Sequence, residues 1–187
     1  MFGMVDSFKL LKKFPIAGYK VVNNLHEADF NFPFYLKADI AEHKTEKKAV
    51  LKCNNIEEAE VNFNFLQNQF PDKKIIMQKA VEGVEMIIGI KEDKIFGKLF
   101  MLGFGGIFAE AVKDVSFRAL PVDRAEIEKM LIELKLISIL TSRKKYALKE
   151  FILLAEKVSK LDVKEMDLNP VILNEKEAVI ADARIEA

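Results

Sequence analysis

The sequence is short of the residues on which many site chemistries depend. It has one cysteine, Cys53, in 187 residues, which excludes an internal disulfide and any multi-cysteine metal site. Two histidines, His26 and His43, exclude a histidine-rich zinc centre. Neither sign of charge is in excess: 29 Lys and Arg balance 29 Asp and Glu. A whole-chain basic footprint is therefore missing, and no nucleic-acid partner is expected. The apolar runs are short and broken by charge, so no membrane span is expected. Asp6 and Lys9 interrupt the stretch in which a signal peptide needs unbroken apolar residues, which makes the cytoplasm the default compartment. Glycine is scarce at eight residues, yet Gly103, Gly105 and Gly106 fall within four positions.

Half the residues are hydrophobic and 31% are charged, enough to bury a core in one domain or two small lobes. Asp6 is positioned to cap a short first helix, and residues 18–22 and 34–38 read as strands. Residues 39–48 form a polar loop by composition, followed by a weak strand at 49–52. Asn54 or Asn55 then caps a helix on which Ile56, Ala59, Phe63, Leu66 and Phe70 recur at helical spacing. Residues 74–80 read as a strand, and 84–91 with 94–101 as a hairpin turning at Glu92-Asp93. Residues 107–112 read as a further strand. Asp123 and Glu126 have capping-box spacing ahead of the stripe Ile127, Met130, Leu131, Leu134 and Ile137. Leu148, Ile152, Ala155 and Val158 form a second stripe. Strands at 162–173, broken at Pro170, and 178–185 end the chain. Hairpins with helices grouped between them argue for an α+β fold with largely antiparallel sheets.

Several groups have the chemistry of a site. The glycine window lets backbone N–H groups converge on phosphate oxygens, although a turn between strands is the alternative. Ser116 and Arg118 share a strand face, where a guanidinium holds phosphate or carboxylate; a solvated edge strand is the competing reading. Asp167 and Asn169 also share a face, with Asp182 on the next strand, and such hard oxygens suit Mg²⁺ shared with nucleotide phosphates. The same residue types are common at strand ends for turn reasons. Lys37 ends an apolar run, from which its ammonium reaches phosphate or snorkels to water. His43 lies in the polar loop, where an imidazole is either merely solvated or a nucleophile toward phosphorus.

These pieces occur in an order that resembles the ATP-grasp domain of ADP-forming acyl-CoA synthetases, the β subunit of acetate–CoA ligase, and more distantly the succinyl-CoA synthetase β subunit. The strongest stretch is residues 96–121, FGKLFMLGFGGIFAEAVKDVSFRALP, where the family reads like FGPVVMFGLGGIFVEVLKDVSFRLAPL. Asp167-Leu168-Asn169-Pro170 and Asp182-Ala183-Arg184-Ile185 match the family's acidic-x-Asn-Pro and Asp-Ala-Arg-Ile ending. Gly83-Val84-Glu85 opens its Gly-x-Glu strand, and His43-Lys44-Thr45 matches its His-Lys-Ser/Thr segment.

The resemblance implies two α+β lobes, residues 1–80 and 81–187, gripping ATP or ADP with Mg²⁺. It implies that Lys37 contacts nucleotide phosphates, that Gln78, Lys79 and Ala80 form the hinge strand beside adenine, and that Glu85 contacts the nucleotide. Gly105, Gly106 and Arg118 would line the phosphate side. Asn169 and Asp182 would hold Mg²⁺, Asp167 would sit where a phosphohistidine docks, and His43 would carry phosphate toward ADP. A chain of this length has no room for the CoA-binding and ligase domains, so a separate CoA-binding α subunit is the implied partner in a hetero-oligomer. Two departures stand out. The family's two loop glycines are replaced by Lys48 and Ala49, which is expected to remove the loop's left-handed options. The segment between Val22 and Phe34 is also shorter than the family's helix-bearing one. The alternative function is a nucleotide-binding or regulatory ATP-grasp paralogue without a working relay.

Overall fold

The computed structural model describes residues 2–28, 30–40, 48–106, 112–141 and 145–187. Two compact units emerge, one of Gly3–Asp6 and Ala17–Val81, the other of Met1–Phe2, Ser7–Ile16 and Glu82–Ala187.

The smaller unit is a four-stranded antiparallel sheet in the order β1-β4-β2-β3. Its strands are β1 (Tyr19–Val22), β2 (Phe34–Ala38), β3 (Val50–Cys53) and β4 (Ile75–Lys79). Between β1 and β2 the described residues make a 3₁₀ turn, Leu25–Glu27. One sheet face packs on α2 (Ile56–Gln69) through Ala59, Phe63 and Leu66, which meet Phe34, Leu36, Ala38, Ile75 and Met77. Asn55 is the helix cap, its Oδ1 accepting from Glu58 N at 2.8 Å, while the Glu58 carboxylate accepts from Asn54 N. Ile56, expected in the buried stripe, is 44% exposed.

The larger unit is a six-stranded antiparallel sheet, β10-β8-β5-β6-β7, with β9 on β8. Its strands are β5 (Val84–Asp93), β6 (Gly97–Phe104), β7 (Val115–Ala119), β8 (Glu165–Leu173), β9 (Ala178–Ile180) and β10 (Arg184–Glu186). Met86, Ile88, Ile90, Phe100, Leu102, Phe104, Met166, Leu168 and Ile185 are buried on one face. That face belongs with α3 (Arg124–Ile132) and α5 (Leu148–Ser159), whose own apolar stripes are buried; α4 (Ser138–Thr141) is a single turn. Asp123 Oδ1 caps α3 by accepting from Glu126 N at 2.8 Å. The α+β fold with antiparallel sheets follows the expectation, and three details correct it. The hairpin turns just past Glu92-Asp93, at 94–96, because the Asp93 carboxylate accepts from Ile95 N and Phe96 N. Strand β8 runs through Pro170 rather than breaking there, absorbing it as a bulge opposite Ile87. The final strand divides, since Ala181 N and Asp182 N leave the ladder to donate to Pro170 O. The strand expected at 107–112 lies, but for Val112, outside the described residues.

Candidate nucleotide and metal site

In the smaller unit, strand alternation sorts the candidates. Phe34, Leu36 and Ala38 face α2, so Tyr35 and Lys37 take the opposite face. The register pairs Lys37 with Ile76 and Tyr35 with Gln78, which puts Gln78 on that same face. Both polar residues are deeply buried, Lys37 at 5% exposure and Gln78 at 1%. The Lys37 ammonium stands 5.9 Å from the centre of the Tyr35 ring. The Gln78 Nε2 has no hydrogen-bond partner among the described residues. An amide donor left unsatisfied in the interior is costly. Lys79 is exposed, and its N–H donates to Gly18 O at 2.8 Å; Ala80, half-buried, follows the strand. His43 lies outside the described residues.

In the larger unit, the register lays out a row that crosses the sheet: Phe117, Met101, Gly89, Asp167 and Arg184. This row lies on the face away from the helices. Glu85, four residues before Gly89, shares the face, as does Asn169, two after Asp167. Arg184, 14% exposed at its side chain, donates to Asp167 Oδ2 at 3.1 Å. Pro170 connects the last two candidates, since its carbonyl accepts from Asp182 N, the residue after Ala181 at the end of β9. Asp182 therefore sits between β9 and β10 rather than on a strand, its N–H directed to the carbonyl of the residue after Asn169. These two hard oxygen donors fit Mg²⁺, which takes few protein ligands and completes its shell with water and phosphate oxygens. Among the described residues no group of three or more His, Cys, Asp or Glu is placed to hold a metal ion.

The glycine window has structural reasons of its own. Gly105 N donates to Glu85 O at 2.7 Å, and Gly106 has φ +58°. A Cβ on Gly106 would overlap the Glu85 carboxylate, with Cδ only 3.0 Å away. The Glu85 side chain thus lies over Gly106, which joins two expected site elements at one spot. Gly103 instead makes room for the Asp114 carbonyl, just before β7.

Arg118 does not join them. It pairs with Phe100 in the register and so points to the helix side, opposite Asp167. Its Nε donates to Glu126 at 2.8 Å, one terminal nitrogen to Glu133, and the other to Ser116 Oγ at 3.3 Å and Phe117 O at 2.8 Å. The guanidinium holds both glutamates below the ordinary carboxylate range, and their hydrogen bonds raise its own pKa. Arg118 is a clamp between the edge strand β7 and the helix α3, not a group lining the carboxylate row. Ser116 and Arg118 do share a face, as spacing implied.

A family model described as the ATP-grasp domain matches residues 13–187. The chain belongs to the ATP-grasp family. The β subunit of the ADP-forming acetate–CoA ligase II of Pyrococcus furiosus is 33% identical over 198 residues, covering 91% of this chain and 84% of that one. The ADP-forming acetate–CoA ligase II of Archaeoglobus fulgidus is 36% identical over 84% of this chain, which spans only 25% of that relative's length. The crystal structure of PH1788 from Pyrococcus horikoshii superimposes with a TM-score of 0.83 at 32% identity, over 97% of this chain and 89% of that one. An acetyl-coenzyme A synthetase 1 of Ca. Korarchaeum cryptofilum, solved with coenzyme A and Mg-AMPPCP, superimposes with a TM-score of 0.77 at 28% identity, over 97% and 90%. This ATP-grasp chain is thus homologous to ADP-forming acyl-CoA synthetase β subunits. No helix among its described residues is long and apolar enough to cross a membrane.

Two groups that touch the candidate residues, Arg184 on Asp167 and the Pro170 carbonyl on Asp182 N, were missed by sequence reasoning. Arg184 was legible in principle, because antiparallel register from the turn at Asn174 places it opposite Asp167. The Pro170 carbonyl was not, because nothing in the residue pattern announces that the final strand will leave its ladder there.

Proposed function

We propose that this chain is the β-type ATP-grasp subunit of an ADP-forming acyl-CoA synthetase. The observation that carries the reading is buried Gln78, whose Nε2 has no hydrogen-bond partner among the described residues, on the sheet face it shares with buried Lys37. A buried donor without an acceptor is expensive, and an acceptor-rich ligand such as a nucleoside polyphosphate answers it.

In this reading Lys37 holds phosphate oxygens, while Gln78, Lys79 and Ala80 edge the base. Glu85, propped over Gly106, contacts the nucleotide, with the amides of Gly105 and Gly106 nearby. Asn169 and Asp182 hold Mg²⁺, which when bound neutralises phosphate charge. Catalysis by such groups is positioning and charge compensation. The overall reaction is acyl-CoA plus ADP plus phosphate to carboxylate, CoA and ATP, reversibly. His43 carries the phosphoryl group: its N–P bond breaks as an ADP β-phosphate oxygen takes the phosphorus. Asp167, oriented by Arg184, receives the phosphohistidine. The acyl-CoA chemistry comes from a CoA-binding α subunit, a partner consistent with the fraction of the longer A. fulgidus relative that this chain spans.

Titration calorimetry with MgATP and MgADP tests the nucleotide reading. Wild type is expected to bind both, and Lys37→Met to bind them about 10–100-fold more weakly, the loss of one charge-assisted bond of roughly 1.5–3 kcal/mol. Equal affinity in the variant would remove Lys37 from the site.

A further inference from the structure

Lys48 introduces β3 with φ +52°, in the left-handed region that the replacement of the loop glycine was expected to close off. The ladder imposes this conformation. The carbonyl of the next residue, fully buried Ala49, accepts from Ala38 N at 2.9 Å, and Val50 is locked opposite Lys37. The chain must therefore turn left-handed at residue 48 to deliver Ala49 inward. Glycine meets that need without strain, and lysine does not.

Lys48 is exposed and makes no hydrogen bond or ion pair among the described residues. Asp39, which follows Ala38 on the paired strand, accepts from Val5 N of the first helix, α1 (Met4–Leu10), at 3.3 Å. Strand spacing puts the Lys48 backbone about 8 Å from that of Lys37. Two ammonium-bearing side chains start from neighbouring strand ends, one of them on a strained residue. Strain retained at an exposed position with no packing role points to function in the side chain.

We infer that Lys48 is a second phosphate-binding cation, acting with Lys37 on the polyphosphate of a bound nucleotide. This rests on the nucleotide reading and extends it to a residue where the family has glycine.

The test uses the purified chain and the variants Lys48→Gly and Lys48→Arg, with MgATP and adenosine as probes. Lys48→Gly is expected to raise the melting midpoint by about 2 °C, since the strain is released. It should also weaken MgATP about fivefold or more and leave adenosine unchanged. Lys48→Arg keeps charge and strain, so it should match wild type in both readouts. MgATP affinity within twofold of wild type in Lys48→Gly would overturn the inference while leaving the nucleotide reading intact. A wild-type chain that binds neither probe would sink that reading, and this inference with it.

Discussion

Replacing Gly106 with alanine separates backbone strain from loss of a ligand contact. The substitution meets two obstacles. The residue sits at φ +58°, where a Cβ costs about 1–2 kcal/mol. The new methyl would also occupy the place of the Glu85 carboxylate. That carboxylate is the end of a flexible, exposed side chain, so it swings away at little further cost. The expected destabilisation is therefore about 1–2 kcal/mol, a fall of roughly 2–8 °C in the melting midpoint for a chain of this size. Nucleotide affinity should fall with it, because Glu85 is displaced. Gly103→Ala provides the contrast. Its Cβ would lie 2.7 Å from Val115 Cγ1 and overlap the Asp114 carbonyl, backbone of a paired strand that cannot withdraw. Overpacking of that kind costs about 1–3 kcal/mol or more, but leaves Glu85 in place. Gly105→Ala meets Ile87 Cγ2 at 3.2 Å and should be the mildest of the three. Thermal melts with and without MgATP measure both effects. In a Glu85→Ala background, Gly106→Ala should keep its stability cost and lose its effect on affinity. A Gly106→Ala chain with wild-type affinity, or a Gly105→Ala chain less stable than Gly103→Ala, would refute the reasoning.

Other outcomes follow from the same geometry. Glu126 and Glu133 are held below their ordinary range by Arg118, so the stability they contribute is present above that range and lost as pH falls through it. Arg118→Met should flatten the acid limb of the pH–stability curve, and an unchanged limb in melts across pH 3–6 (a window on the order of the glutamate range) would count against the clamp. Asn169→Ala and Asp182→Ala should each raise the Mg²⁺ concentration needed for half-maximal nucleotide binding about tenfold, equivalent to roughly 1.4 kcal/mol. A titration unmoved by both changes would exclude that pair as ligands. Burial pushes the Cys53 thiol up, and the residue is fully enclosed, so its alkylation by iodoacetamide should track unfolding in denaturant. Labelling of the native chain at the rate of a free thiol would contradict the core described here.

Local patterns reveal most of this fold because its elements obey them. Alternation in residues 34–38 and helical spacing in Ala59, Phe63 and Leu66 come from burying one face, which a single sequence displays. The hairpin from Val84 was recognisable, but its turn was displaced because one Asp93 carboxylate outweighs composition in deciding which amides are satisfied. The site was legible as residue types and only partly as geometry. Asp167, Asn169 and Glu85 fall on one sheet face by counting in twos. Arg118 differs by one residue from Phe117, and that single step carries it to the other side, where Glu126 and Glu133 arrive from a helix whose docking no local pattern specifies. Lys48 shows the converse: its chemistry argued against a left-handed turn, and the pairing of Ala49 with Ala38 imposed one.

The central claim is that this ATP-grasp chain passes phosphate through His43 to ADP, in company with a CoA-binding subunit. ATP formation from acyl-CoA, ADP and phosphate in the reconstituted assembly measures it most directly. Turnover should require both chains and Mg²⁺, and His43→Ala should abolish it while nucleotide binding persists. Full turnover by the His43→Ala assembly would contradict the account.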